Sequence, residues 1–73
     1  MSPDKLVHMA NQIALFMESK PHSEGVAGFA DHINDFWEPR MRSQFLALVA
    51  QSTQDFRPLV LEAVPLIKRP IAA

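Results

Sequence analysis

Six prolines set the terms on which this chain can fold: Pro3, Pro21, Pro39, Pro58, Pro65 and Pro70. A proline ring blocks a helix interior and removes a hydrogen-bond donor from a central strand. It suits the first helical turn, where the missing N–H would have no partner anyway. Four of the six stand where helices could begin. No β-branched run with period-two alternation lies between them, so the segments read as helices. The expected fold is all-α, a small bundle of three main helices plus a short C-terminal helix and an extended tail, forming a single domain over residues 1–73.

The first helix is expected over residues 3–19, with Ser2 as N-cap and Asp4 at the positive end of the dipole. At about 100° per residue, Leu6, Met9, Ala10, Ile13, Phe16 and Met17 share one face, widened by Val7 and Ala14. Asp4, His8, Asn11, Gln12 and Ser19 fall opposite. Leu15 lies among these polar residues, either as a scattered surface leucine or as a partner contact. Lys20-Pro21-His22 breaks the chain. The second helix, residues 23–37, divides cleanly. Val26, Phe29, Ala30, Ile33, Phe36 and Trp37 form an apolar stripe; Glu24, Asp31, Asp35 and Glu38 form an acidic one, with no base between them. Gly25, Gly28 and His32 lie together on a flank. Each glycine costs about 1 kcal/mol in a helix, which implies either close packing against another helix or a loose first turn with the helix proper starting near Val26.

The third helix is expected over residues 39–51, with Met41, Phe45, Leu48 and Val49 facing the core. Arg42 projects at the edge of that face and Arg40 away from it. Residues 52–55 read as a loop, with Asp55 or Phe56 near the cap of a short fourth helix at 58–64. Leu59, Val60, Leu61, Ala63, Val64, Leu66 and Ile67 surround that helix almost completely. A helix that is apolar all round is buried on all sides. Three short helices cannot enclose it, so part of it is expected to face a partner. Lys68-Arg69-Pro70 and the remaining residues read as extended.

Size makes the same point. A chain of this length buries only about 60% of the surface its unfolded form exposes, yet 48% of its residues are hydrophobic. Some of that surface must stay open or be covered by something else. Cysteine is absent, which removes disulfides, thiolate metal ligands and a cysteine nucleophile. A net charge of −1 lacks the positive field of a nucleic-acid binder. No apolar run approaches the roughly 20 residues of a membrane span. Met1-Ser2-Pro3-Asp4-Lys5 lacks the basic and apolar regions of a signal peptide, so the expected address is cytoplasmic. Charge is segregated: acids dominate from Glu24 to Glu38, and Arg40, Arg42, Arg57, Lys68 and Arg69 outnumber Asp55 and Glu62 beyond Pro39. Either the two halves pair across the bundle or they form a two-faced docking surface.

No catalytic set emerges. The serines fall in no nucleophile-elbow pattern. His8, His22 and His32 are far apart, and a pair between His32 and Asp31 or Asp35 reads as a surface feature rather than a general base. No zinc motif, P-loop or dinucleotide fingerprint is present. The chain is not expected to be an enzyme or to bind a cofactor.

Two segments carry a family resemblance: Met-Ala-Asn-Gln-Ile-Ala at residues 9–14 and Phe-Trp-Glu-Pro-Arg-Met-Arg at 36–42. They sit within a longer pattern running through Lys5 to Ala14, Val26 to Ile33, and Pro58-Leu59-Val60. In this order the pattern resembles the small delta subunit of soluble NAD-dependent, molybdenum-containing formate dehydrogenase, over nearly the whole chain. Ser52-Thr53-Gln54 departs from a glycine-rich turn expected there, and Gly25 stands where alanine is expected. The resemblance implies an accessory subunit associated with assembly, stability or molybdenum-cofactor insertion. The parent enzyme oxidises formate at molybdenum held by paired pterin guanine dinucleotides and passes electrons through iron–sulfur clusters and FMN to NAD. The implied partner is the large molybdenum-containing catalytic subunit and, through it, the iron–sulfur and flavin subunits.

The contact residues are our own reading. Aromatic residues and arginine are enriched among interface hot spots, which nominates Trp37, Arg40 and Arg42, joined by Leu15, Leu59 and Leu61. Trp37 is equally a candidate core residue, and Arg42 a candidate partner for the acids of the second helix. Two rival readings are a free-standing helical regulator or homodimer, and a helix-turn-helix DNA binder led by Arg40 and Arg42. The acidic stripe opposes the latter.

Overall fold

Prolines open three of the helices in the computed structural model, which describes residues 2–69. Helix α1 (Pro3–Met17) begins with Pro3, and the Ser2 hydroxyl accepts the Lys5 amide at 3.4 Å. It ends short of Ser19 because the amides of Ser19 and Lys20 turn back to the carbonyls of Phe16 and Met17. Pro21 then steers Lys20 out of the helical region. Helix α2 (His22–Phe36) starts one residue earlier than the sequence predicts: Pro21 is its extended N-cap, and its carbonyl accepts the Gly25 amide at 2.9 Å. Trp37 is extended, not helical, with φ −92° and ψ 122°. Helix α3 (Pro39–Gln51) follows at once. A 3₁₀ turn (Thr53–Asp55) replaces the expected loop. Helix α4 (Pro58–Ala63) passes into a second 3₁₀ turn (Val64–Leu66) around Pro65, which has no amide to continue the helix. Among the described residues all regular structure is helical. Of the tail read as extended, residues 70–73 lie outside the described residues.

The core gathers Leu6, Ala10 and Ala14 from α1, Phe29, Ala30 and Ile33 from α2, Phe45 and Val49 from α3, and Leu59, Val60 and Ala63 from α4. Trp37, Phe56 and Ile67 join it from the extended residues between elements. Phe45 is the hub. The Trp37 and Phe56 rings meet it edge-to-face at 5.4 and 5.8 Å, and Phe29 lies at 6.3 Å. Each large side chain buried this way stabilises the fold by about 1.5–3 kcal/mol. Helices α1 and α2 cross tightly at Gly25. A β-carbon there would lie 2.5 Å from the Met17 carbonyl oxygen, so the glycine serves close packing rather than a loose turn.

Two asparagines fasten the extended residues. Asn11 on α1 donates to the Asp55 carbonyl and accepts from the Arg57 amide, both at 2.9 Å. Phe56, between them, points into the core. Asn34 on α2 repeats the device, donating to the Leu66 carbonyl at 3.2 Å and accepting from the Lys68 amide at 2.8 Å, with Ile67 buried between. Each amide thus satisfies the backbone groups on one side of an extended residue, as a neighbouring strand would.

Two expectations of the helical wheels fail. Phe16 and Phe36, assigned to core faces, are 62% and 74% exposed. Both sit in the last turn of their helices, where the facing elements no longer reach.

Candidate docking surface

The six residues nominated as contacts separate into three kinds. Trp37 and Leu59 are 4% and 5% exposed and belong to the chain's own core; in this conformation they are not available to a partner. For Trp37 the reason is local: the chain leaves α2 in an extended conformation, which swings the indole under α3 against Phe45. Leu59 sits against the glycine crossing of α1 and α2. Arg42 and Leu61 are half-buried. Arg42 does not pair with the acids of α2. It donates to the Trp37 carbonyl at 2.8 Å and the Lys68 carbonyl at 3.1 Å, fastening the α2–α3 corner to the C-terminal segment. Leu15 and Arg40 are open, with Leu15 50% exposed.

Three further large apolar side chains lie open: Phe16, Phe36 and Leu66, the last 54% exposed. Phe16 carries Lys20 Nζ 5.4 Å from its ring centre, and His32 packs its ring 4.9 Å from that of Phe36. The sequence signal for the two phenylalanines was their position in a terminal helical turn.

The charged residues do not pair as two halves. Among the described residues no ion pair joins the acids of α2 to the basic half; the cross-chain pairs are Arg57 with Glu18 and His22 with Glu62. Arg57 grips Glu18 with two bonds of 2.6 and 2.8 Å. Those hydrogen bonds hold the Glu18 carboxyl below its ordinary 4.5 against the opposing effect of desolvation, with the guanidinium charge a lesser help. A lowered folded-state value means that the pair contributes above pH 4.5 and is lost as pH falls through the folded-state pKa. In a carboxyl NMR titration Glu18 is expected below 4.5, and Arg57→Gln should return it towards that value. A Glu18 midpoint indifferent to Arg57→Gln would show that the pair is not formed in solution.

Among the described residues no three His, Asp or Glu side chains converge to hold a metal ion, and the sequence has no cysteine. Without cysteine the chain has no thiolates to offer an iron–sulfur cluster. A hollow of about 240 Å³ between Glu18, His22 and Glu62 contains the His22–Glu62 contact of 2.9 Å. A second, of about 330 Å³, lies on the outer face of α3 beside Arg69. Among the described residues no helix is long and apolar enough to cross a membrane.

A family model described as NADH-dependent formate dehydrogenase delta subunit FdsD matches residues 5–64. No curated protein and no solved structure matches the chain.

Proposed function

This chain belongs to the family of delta subunits of NADH-dependent formate dehydrogenase, and we propose that it is a non-catalytic accessory subunit of such an enzyme. In this reading it docks on the molybdenum-containing catalytic subunit and through it joins the iron–sulfur and flavin subunits. Its contribution is to assembly, to stability or to insertion of the molybdenum cofactor. Molybdenum with its paired pterin guanine dinucleotides, the iron–sulfur clusters, FMN and NAD are assigned to the other subunits.

The observation that carries the reading is the family match over residues 5–64. The open apolar side chains support it: Leu15, Phe16, Phe36 and Leu66 are each half or more exposed. Such surface is ordinary once covered by a larger protein.

The test is affinity purification of the tagged chain from its native cells, with formate-dependent NAD+ reduction and molybdenum assayed in the eluate. Activity and metal together would support a permanent subunit. A large subunit without molybdenum would support action before cofactor insertion. Recovery of the chain alone would sink the reading and favour a free-standing helical regulator or homodimer.

A further inference from the structure

We infer that the carboxyl-terminal half of α2 is the docking face, and that its counterpart is a protein surface with an apolar pocket rimmed by lysine or arginine. The inference rests on the accessory-subunit reading and adds which face docks and what chemistry receives it.

Phe36 is the anchor. It is the most exposed large hydrophobic residue among those described, at 74%. It is held at the end of a regular helix, and the His32 ring packs beside it at 4.9 Å with 37° between the planes. An aromatic side chain pre-oriented on a rigid element loses little freedom when it enters a pocket, which is the physical basis of an interface hot spot.

The electrostatics name the rim. Asp31 and Asp35, four residues apart, are exposed on the same side of α2, and Glu38 follows at the corner. Gly28 and His32 lie between that acidic side and Phe36 on the helix surface. Among the described residues none of these carboxylates has an ion-pair partner. The last turn of α2 holds no basic residue, so the negative end of the helix dipole adds to the carboxylate charges instead of being offset. Like charges four residues apart also oppose one another. Among the described residues no base of the chain stands within ion-pair distance of these acids; Arg57 is committed to Glu18, and Arg42 to two backbone carbonyls. A cationic rim would relieve the repulsion. Nucleic acids and anionic membranes would be repelled by the same field.

The experiment uses the assembled enzyme, made by co-expressing its subunits with tagged wild-type or variant chain. Co-purification is measured at low and high salt, and the affinity of each isolated variant for the complex lacking the small chain is measured by titration. The variants are Phe36→Ala and the double change Asp31→Lys with Asp35→Lys; Gln12→Ala, at an exposed position on α1, is the control. Phe36→Ala and the double change should each weaken binding at least tenfold, and raised salt should weaken the wild type. Gln12→Ala should bind within about threefold of the wild type. Because Phe36 and Gln12 are exposed, thermal unfolding of the isolated Phe36→Ala and Gln12→Ala variants should stay close to that of the wild type. The double change should raise the melting temperature, because lysines suit a helix carboxyl end. Wild-type binding retained within threefold by either α2 variant would overturn the inference while leaving the subunit reading intact. A wild-type chain that does not co-purify at all would instead overturn the subunit reading. A homodimer of the wild type, broken by Phe36→Ala, would assign this face to a second copy and overturn the inference as well.

Discussion

Phe45→Ala is expected to leave the chain largely unfolded at 25 °C. Phe45 is fully buried and touches three other rings, those of Phe29, Trp37 and Phe56, which come from α2, the α2–α3 corner and the segment before α4. Removing it loses the transfer free energy of the ring and leaves a cavity that three separate elements must close, at a cost of about 3–5 kcal/mol. A domain of this size holds only roughly 4–11 kcal/mol in total, and a thin core places it towards the low end. The loss is therefore comparable with the whole stability. Urea titration followed by circular dichroism would show it as a missing or strongly shifted transition. Phe45→Leu, which keeps most of the volume, should retain a cooperative unfolding curve. A loss for Phe45→Ala below about 1 kcal/mol, the range of an average surface or marginal change, would show that these rings do not meet as described.

The two glycines of α2 should respond to alanine with opposite signs. Alanine is favoured over glycine in a helix by about 1 kcal/mol, so both changes start with the same gain. At Gly25 the new methyl would lie 2.5 Å from the Met17 carbonyl oxygen and 3.3 Å from Leu59 Cδ1. That oxygen is backbone, and it already accepts the Lys20 amide at 3.1 Å, so α1 and α2 must separate. Overpacking of this kind costs about 1–3 kcal/mol, which outweighs the helical gain. At Gly28 the nearest atom is Met17 Sδ at 3.1 Å, the far part of a flexible thioether that can swing aside. Gly25→Ala should lower the melting temperature by roughly 4–8 °C and Gly28→Ala should raise it by a few degrees. Equal shifts of either sign would mean that the helices do not cross closely at Gly25.

Much of the framework was legible because prolines and helical periodicity act locally. Pro3, Pro39 and Pro58 open helices as their missing amides predict, and Leu6, Ala10, Phe29, Ile33 and Phe45 face inward as their spacing predicts. The failures share a cause. A wheel gives the direction of a side chain but not the reach of its neighbours, so Phe16 and Phe36 were placed on inward faces whose cover stops short. Trp37 was read as a last helical residue, with core and contact roles both open; the backbone is extended there, and the indole turns under α3 against Phe45. Arg42 was weighed as a charge, whereas its fork serves two uncharged carbonyls brought near by the fold. Asn11 was simply polar on the wheel; its bonds to residues 55 and 57 span more than forty positions of sequence, a distance at which no local pattern informs. For the docking surface, composition announced the excess of apolar residues and the acidic stripe, but coordinates were needed to show which of them remain open.

The paired amides of Asn11 and Asn34 bear on how such a chain survives before it meets a partner. A subunit with open phenylalanines is exposed to aggregation while it waits, and the most dangerous route is recruitment of extended backbone into intermolecular sheet. Here the extended residues Phe56 and Ile67 offer little to recruit. Their own amides bond to Thr53 and Val64, and the flanking carbonyls and amides are taken by the asparagine side chains. Stickiness is thereby confined to side chains on helices, where contacts are weak and reversible until a complementary surface arrives.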